Sequence, residues 1–400
     1  MSLSLGTRSL TQHVMSIGSK TVCYYVTGHG FGHGTRAVGL IEELLSRGIT
    51  VEIISSLPPD FFLENLACAE CPLSPVIHCR MLDAGALQLD PLRMDVESTL
   101  LNYLQNVHQR REELLDLETA YLRERRPDLV LADATALACA AARAVGIPSA
   151  LVTNFSWWNI YDEMLPLLEQ KKSSTWTKTA FREMIDQITS DCNSAVTYFQ
   201  LPGSMAPPKN YSGKLVAAPL VCRVPKNSRV DTLSKHGIPD DKHVVVYGFG
   251  GQKRNDTQEL FRDEMLPPGW VCVVLMGEHL ALPSRRFIGL PQAVYVPDIL
   301  AASDVMLGKL GYGTCSECLA TGTPLLWVTR HDWPEERPLQ LLMEQYGASI
   351  QMSTENFAAG NWGPGLAAAM ELRNKGIDLG PLQTGRVALK ELGDAIMELV

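Results

Sequence analysis

Val26-Thr-Gly-His-Gly-Phe-Gly-His-Gly-Thr-Arg36 holds the residues best placed to do chemistry. It follows a short apolar run and opens an amphipathic segment, so it reads as strand, glycine loop, helix. Gly28, Gly30, Gly32 and Gly34 let the backbone approach a ligand closely. Arg36 closes the loop, and the helix behind it aims N–H groups at whatever sits there. His29 and His33 are expected to project from the loop, and a histidine at such a turn suits general-base work near neutral pH. A dinucleotide fingerprint is ruled out by spacing. G-x-G-x-x-G started at Gly28 meets His33, and started at Gly30 it meets Thr35. The second strand, Thr50–Ser55, carries no acid at its end for a ribose hydroxyl.

Leu307-Gly-Lys-Leu-Gly-Tyr-Gly-Thr-Cys-Ser-Glu317 repeats the same logic. Gly311, Gly313 and Thr314 offer N–H groups and a hydroxyl to an anion, and Lys309 adds charge. Phosphate or pyrophosphate is the expected guest, with an ordinary strand-to-helix turn as the alternative. The turn at Gly250-Gly251 should open on the same cleft. Glu335 and Glu336 either complement a helix dipole or bind sugar hydroxyls. Asp133 ends a predicted strand and either orients His33 or caps the next helix. Trp157 either stacks on a sugar or packs in the core.

Placing these residues requires repeated strand–helix winding. Thr21–Thr27, 50–55, 127–132 and 149–153 read as strands of one parallel sheet, and 95–125 as one long helix pattern. Seven prolines or glycines between 202 and 225 mark a connection. A second series has strands at 243–248, 271–276, 294–296, 304–307 and 324–329. The expected division is a tail over 1–20, a first domain over 21–205 and a linking region over 206–241. A second domain over 242–385 and a helix over 386–400, returning toward the first domain, complete it. The fold class is α/β, with two Rossmann-like doubly wound domains facing a central cleft.

Composition removes several functions. The net charge is −9, which disfavours nucleic acid. No run of 18 apolar residues predicts a membrane span. The ten cysteines lie mostly in apolar runs, as buried thiols of a reducing compartment would. Cys68-x-x-Cys71 and Cys315-x-x-Cys318 are too far apart in the chain to suggest zinc. Residues 1–20 lack the apolar core of a secretory signal, so a cytoplasmic location is expected, with an organelle transit peptide as the alternative. There is no phosphate loop of the G-x-x-x-x-G-K-[ST] type, no Asp-x-Asp metal clamp and no G-x-S-x-G elbow.

Together these motifs resemble a known group. Gly-His-Gly-Phe-Gly-His-x-Thr-Arg (28–36) is similar to the N-terminal, glycosyltransferase-like domain of plant L-arabinokinases. So are Thr-Asn-Phe-Ser-Trp (153–157), Phe-Gly-Gly-Gln (249–252), Pro-Asp-Ile (297–299), Ala-Ser-Asp-x-Met-Leu-Gly-Lys-x-Gly-Tyr-Gly-Thr-x-Ser-Glu (302–317) and Glu-Glu-x-Pro (335–338). More distantly the chain resembles GT-B glycosyltransferases of the MurG and UDP-glycosyltransferase type. The resemblance implies inverting, metal-independent transfer from a UDP-sugar co-substrate to an unidentified acceptor, with no resident cofactor. It implies His33 as base and Asp133 as its support. It implies a donor site of Gly250, Gly251, Gln252, Val296, Lys309, Gly311, Gly313, Thr314, Glu317 and Glu335 or Glu336. The acceptor would enter beside Asn154 and Trp157. Arabinokinases carry a C-terminal kinase domain with its own phosphate loop, which these 400 residues lack, so kinase activity is not expected here. Glu-Glu replaces the usual Asp-Gln pair, which leaves the donor sugar open. A sugar-nucleotide epimerase or hydrolase, or a non-catalytic sugar-nucleotide sensor, would suit the same architecture.

Overall fold

The computed structural model describes residues 20–66, 74–170, 178–250 and 261–400. The first domain is built on β1 (Thr21–Val26), β2 (Thr50–Ser55), β3 (Val76–Cys79), β6 (Leu129–Asp133), β7 (Ser149–Thr153), β8 (Thr197–Gln200) and β9 (Lys214–Ala217). A small hairpin, β4 (Gln88–Asp90) and β5 (Arg93–Met94), stands apart from that sheet. The second domain uses β10 (His243–Gly248), β11 (Trp270–Val274), β12 (Phe287–Gly289), β13 (Val305–Gly308), β14 (Leu325–Val328) and β15 (Ser349–Met352). Within both sheets every neighbouring pair is parallel. Their strands read as near-continuous Val, Ile, Leu and Ala because helices cover both faces.

Strand order explains where a ligand can go. The first sheet runs β3-β2-β1-β6-β7-β8-β9 and the second β12-β11-β10-β13-β14-β15. The winding direction reverses between β1 and β6 and again between β10 and β13. Loops diverge at such points and leave a crevice at the strand carboxyl ends. The glycine loop follows β1, Asp133 ends β6, Gly250 follows β10 and Lys309 follows β13. All four chemistry-bearing segments therefore meet at the two crevices.

The helices of the first domain are α1 (Phe31–Ser46), α2 (Pro59–Asn65), α3 (Val96–Asn106), α4 (Arg111–Arg125), α5 (Ala136–Ala144), α6 (Trp157–Gln170) and α7 (Lys178–Cys192). Then come α8 (Arg229–Lys235), α9 (Val296–Ala301), α10 (Tyr312–Thr321), α11 (Glu336–Gln345), α12 (Thr354–Ala359), α13 (Gly363–Lys375) and α14 (Gly385–Met397). α14 packs on α1, where Arg47 Nη1 donates to Asp394 Oδ1 at 2.7 Å. One apolar core runs through both domains, from Leu40 and Leu44 of α1 to Leu319 of α10 and Leu392 of α14.

Four sequence expectations change. The segment 294–296 is not a strand. Val296 begins α9, and the strand lies earlier, at 287–289. The alternation Val294-Tyr-Val296 resembles a strand, but Pro297 suits the first turn of a helix. The 95–125 pattern is two helices, separated by a single 3-10 turn at His108–Arg110. The first domain does not close at residue 205, because β9 at 214–217 is its last strand. Finally, α1 starts at Phe31, so His33 stands in its first turn rather than in the loop. Gly30, with φ 66°, makes the turn that permits this early start. No helix among the described residues is long and apolar enough to cross a membrane.

Candidate active site

A cavity of about 600 Å³ lies between the domains. On the first-domain side it is lined by His29, Gly30, Gly32, His33, Arg36 and Phe155. Opposite are Gly250, Val296, Lys309, Gly311, Gly313, Thr314, Glu317, Arg330, Trp333 and Glu335. The two glycine turns nearly touch. A Cβ placed on Gly313 would sit 3.3 Å from Thr35 Oγ1 and 3.6 Å from Gly32 Cα. A side chain at Gly313 would crowd the gap between the two helix N-termini.

Asp133 is fully buried at the floor of this region. Its Oδ1 lies 2.9 Å from His33 Nδ1. Arg36, one helical turn after His33, clamps the same carboxylate. Its Nη2 reaches Oδ1 at 2.6 Å and Oδ2 at 2.7 Å, and its Nε reaches Oδ2 at 3.1 Å. Burial alone would raise the Asp133 carboxyl. Arg36 and then His33 outweigh burial and hold it at about 2. His33 Nδ1 also lies 2.9 Å from Arg36 Nη2. In the tautomer whose Nδ1–H donates to the ionised carboxylate, the Nε2 lone pair is free. The edge of His33 meets the Phe155 ring at 4.9 Å, which fixes the imidazole plane. Ala134, the next residue after Asp133, has φ 63°, a strained value for a side-chain-bearing residue beside a site. The alternative for Asp133, a helix cap, does not hold, since α5 begins after Thr135 with no side-chain cap.

Arg36 also reaches the second domain. Its guanidinium lies 4.5 Å from the Tyr312 ring centroid, at the start of α10. Its Nη1 donates to Asn154 Oδ1 at 2.7 Å, and Asn154 Nδ2 donates to Glu335 Oε1 at 2.8 Å. Trp333 Nε1 donates to the other oxygen of Glu335 at 2.8 Å. Spacing alone placed Arg36 in the glycine loop without a partner. The usable signal was its position three residues after His33 on one helix face.

The paired glutamates divide their work. Glu336 accepts from the backbone N and Nε of Arg330 and does not line the cavity, while Glu335 does. Glu317 is taken up by Arg223, whose Nε donates to it at 2.8 Å. Arg223 was not anticipated, because it lies in the irregular 206–241 stretch. Asn154 and Trp157, expected at an acceptor entrance, do not line the cavity. Asn154 is the buried bridge just described, and Trp157 is a core residue whose ring meets His29 and stacks on Tyr161. Gly28 and Gly34 likewise face Ser56 and Leu57 rather than the cavity. Gly251 and Gln252, like Cys68 and Cys71, lie outside the described residues. Cys315 and Cys318 are buried free thiols.

Lys309 has no hydrogen-bond or ion-pair partner among the described residues. Burial, and then Arg330, push its amine down to about 7, although Glu335 and Glu336 oppose the shift. A cation held in this way is ready for an anionic ligand. It stands beside the first turn of α10, whose N–H groups favour the same guest.

Two doubly wound parallel-sheet domains with one site at both switch points define the GT-B glycosyltransferase fold. The chain is homologous to the N-terminal region of L-arabinokinase from Arabidopsis thaliana, at 35% identity over 352 residues. That match covers 88% of this chain and 32% of the relative, so the chain spans about a third of the length of L-arabinokinase. An uncharacterized glycosyltransferase of Methanosarcina acetivorans is 25% identical over 348 residues, covering 83% of this chain and 86% of that one. Among solved structures, a UDP-glucosyltransferase from Polygonum tinctorium superposes with a TM-score of 0.59 at 16% identity. It covers 94% of this chain and 98% of that one. No protein-family model matches the chain.

Two outcomes follow from the geometry. Asp133→Asn should lower stability by about 3–5 kcal/mol, because Arg36 is left buried without a counter-charge. Urea unfolding checks this, and a loss no larger than that of an exposed substitution would contradict it. Lys309 should take up a proton when a diphosphate binds, since its free-protein value of about 7 must rise beside an anion. Affinity for a nucleoside diphosphate should therefore fall as pH rises above 7, and Lys309→Arg should flatten that slope. Titration calorimetry at pH 8 in buffers of different ionisation enthalpy measures the proton directly.

Proposed function

We propose that this protein transfers a sugar from a UDP-sugar to an acceptor hydroxyl, with inversion at the anomeric carbon. The observation that carries the reading is His33, held by the ionised Asp133, facing the glycine turn and Lys309 across one cavity. An acceptor hydroxyl on the first-domain side would give its proton to His33 Nε2 as its oxygen attacks the anomeric carbon. The bond from that carbon to the diphosphate oxygen breaks, and the nucleoside diphosphate leaves. Asp133 stabilises the imidazolium that forms. Its charge is already shared with Arg36, so the base works against a fixed neighbouring cation.

Charge that develops on the leaving group would meet the N-terminus of α10, Thr314 and Lys309. These groups are in place before reaction and cost no reorganisation. Val296 and Glu317 would face the nucleoside, with Gly250 beside the diphosphate, and Glu335 would face the sugar. The UDP-glucosyltransferase likeness supports the choice of uridine only through the fold. The chain is proposed to act without a metal, with Lys309, Thr314 and the N-terminus of α10 meeting the charge of the diphosphate.

His33→Ala should lower transfer by about 10²–10⁴-fold, the usual worth of a general base. UDP affinity should stay unchanged. Release of UDP from a UDP-sugar in a mixed acceptor pool measures the first, and calorimetry the second. Undiminished turnover in His33→Ala would overturn the mechanism.

A further inference from the structure

The second imidazole of the loop has no part in the mechanism above, yet its surroundings are built with care. His29 Nδ1 lies 3.1 Å from the backbone N of Ala86 and accepts its hydrogen bond. That bond fixes the tautomer, because a nitrogen that accepts an N–H carries no proton of its own. The proton must then be on Nε2, which has no protein partner among the described residues, and His29 lines the cavity.

The segment that holds this arrangement is tied down along its length. Asp83 accepts from Thr27 Oγ1 and Thr135 Oγ1, and Thr27 Oγ1 also accepts from the His29 backbone N. Tyr161 donates to Gly85 O at 2.7 Å, and Asn102 donates to Ala84 O. Gly85, with φ 61°, presses its backbone against the ring, where a Cβ would come within 2.5 Å of Nδ1. Trp157 meets the ring edge-on at 5.2 Å, and Trp333 approaches from the second domain at 6.1 Å. The ring is thus fixed in position, in orientation and in the placement of its proton.

We propose that His29 is a permanently neutral hydrogen-bond donor, through Nε2–H, to the terminal phosphoryl oxygen of a bound nucleoside diphosphate. The inference rests on the function proposed above and adds a first-domain residue to its leaving-group site. Its place follows from the contact between the two turns. Gly313, at the start of α10, abuts Gly32 and Thr35 in the first turns of α1, directly after the loop that carries His29. The charge pattern agrees. Burial holds the His29 imidazole down at about 3, and His33, Lys309 and Arg330 add to that effect, so His29 lies within reach of the cations across the cavity. A neutral N–H there can grip an oxyanion without competing with His33 for a proton.

Two substitutions separate the ring's two hydrogen bonds. Asn at position 29 reproduces the acceptor near Nδ1 and removes the distal N–H, whereas Gln can place an N–H near Nε2. His29→Asn should weaken UDP binding by about 3–10-fold, the worth of one hydrogen bond. It should leave UMP, which lacks the terminal phosphoryl group, unchanged. His29→Gln should hold UDP close to the wild-type affinity. Long-range ¹H–¹⁵N spectra of wild-type protein should show His29 as the Nε2–H tautomer from pH 5 to 8. The Nε2 proton should move downfield when UDP is added. Equal losses for UDP and UMP, undisturbed UDP binding in His29→Asn, or an Nδ1–H or titrating His29 would each overturn this role. If wild-type protein binds no UDP, the proposed function falls as well. If it binds UDP but the variants fail the pattern, only the role of His29 falls.

Discussion

The pairing of Arg36 with Asp133 sets the terms for the rest of the molecule. A guanidinium and a carboxylate in a dry interior cost several kcal/mol each in lost hydration. They persist only where the geometry is close and every polar atom has a partner. Here Asp133 has three contacts with Arg36 and one with His33, His33 also lies against Arg36 Nη2, and Arg36 Nη1 donates to Asn154. The fold supplies this geometry at one place, where β1 and β6 are neighbours and α1 starts early enough to bring His33 and Arg36 over the same carboxylate. A displacement of α1 by one residue would rotate both side chains by about 100° and break the cluster.

The same pair couples the domains. Arg36 lies over Tyr312, and through Asn154 it is linked to Glu335 and Trp333 of the second domain. The residue that restrains His33 is thus in contact with the start of α10, at the second glycine turn. His33 and Asp133 lie on one side of the cavity, while Lys309, Arg330 and the N-terminus of α10 lie on the other. The chain carries a net charge of −9, and the cavity wall holds acids as well as cations, but Lys309 has no ion-pair partner among the described residues and stands beside the N-terminus of α10. An anionic ligand is favoured locally even though the whole surface repels anions.

Much of this was legible from residues. Each sheet strand with a continuous apolar run was visible, because burial on both faces removes any alternation. The two glycine turns announced themselves by residue type, and their shared cleft followed from the rule for open parallel sheets. What remained hidden depended on distance across the chain. Arg36 and Asp133 are 97 positions apart, and nothing in either neighbourhood names the other. Trp157 looked like a sugar platform because aromatic residues near strand ends serve both purposes, and only packing shows it buried against Tyr161. Glu335 and Glu336 are chemically identical in sequence. The direction of the first helical turn decides that one faces the cavity and the other is bound by Arg330. Strand β9 was hidden by the prolines around it, since four residues of edge strand give little pattern.

The central claim is that this cleft binds a sugar nucleotide, and thermal stabilisation by a nucleotide panel tests it most directly. UDP, GDP, dTDP, ADP, NAD and the corresponding sugar conjugates would be added at about 100 times the expected dissociation constant, where a true ligand contributes about 2.7 kcal/mol. The account predicts a raised melting temperature with UDP and with at least one UDP-sugar, and none with NAD. A melting temperature unmoved by every sugar nucleotide would contradict it, leaving the two glycine turns as structural features or as the site of another ligand.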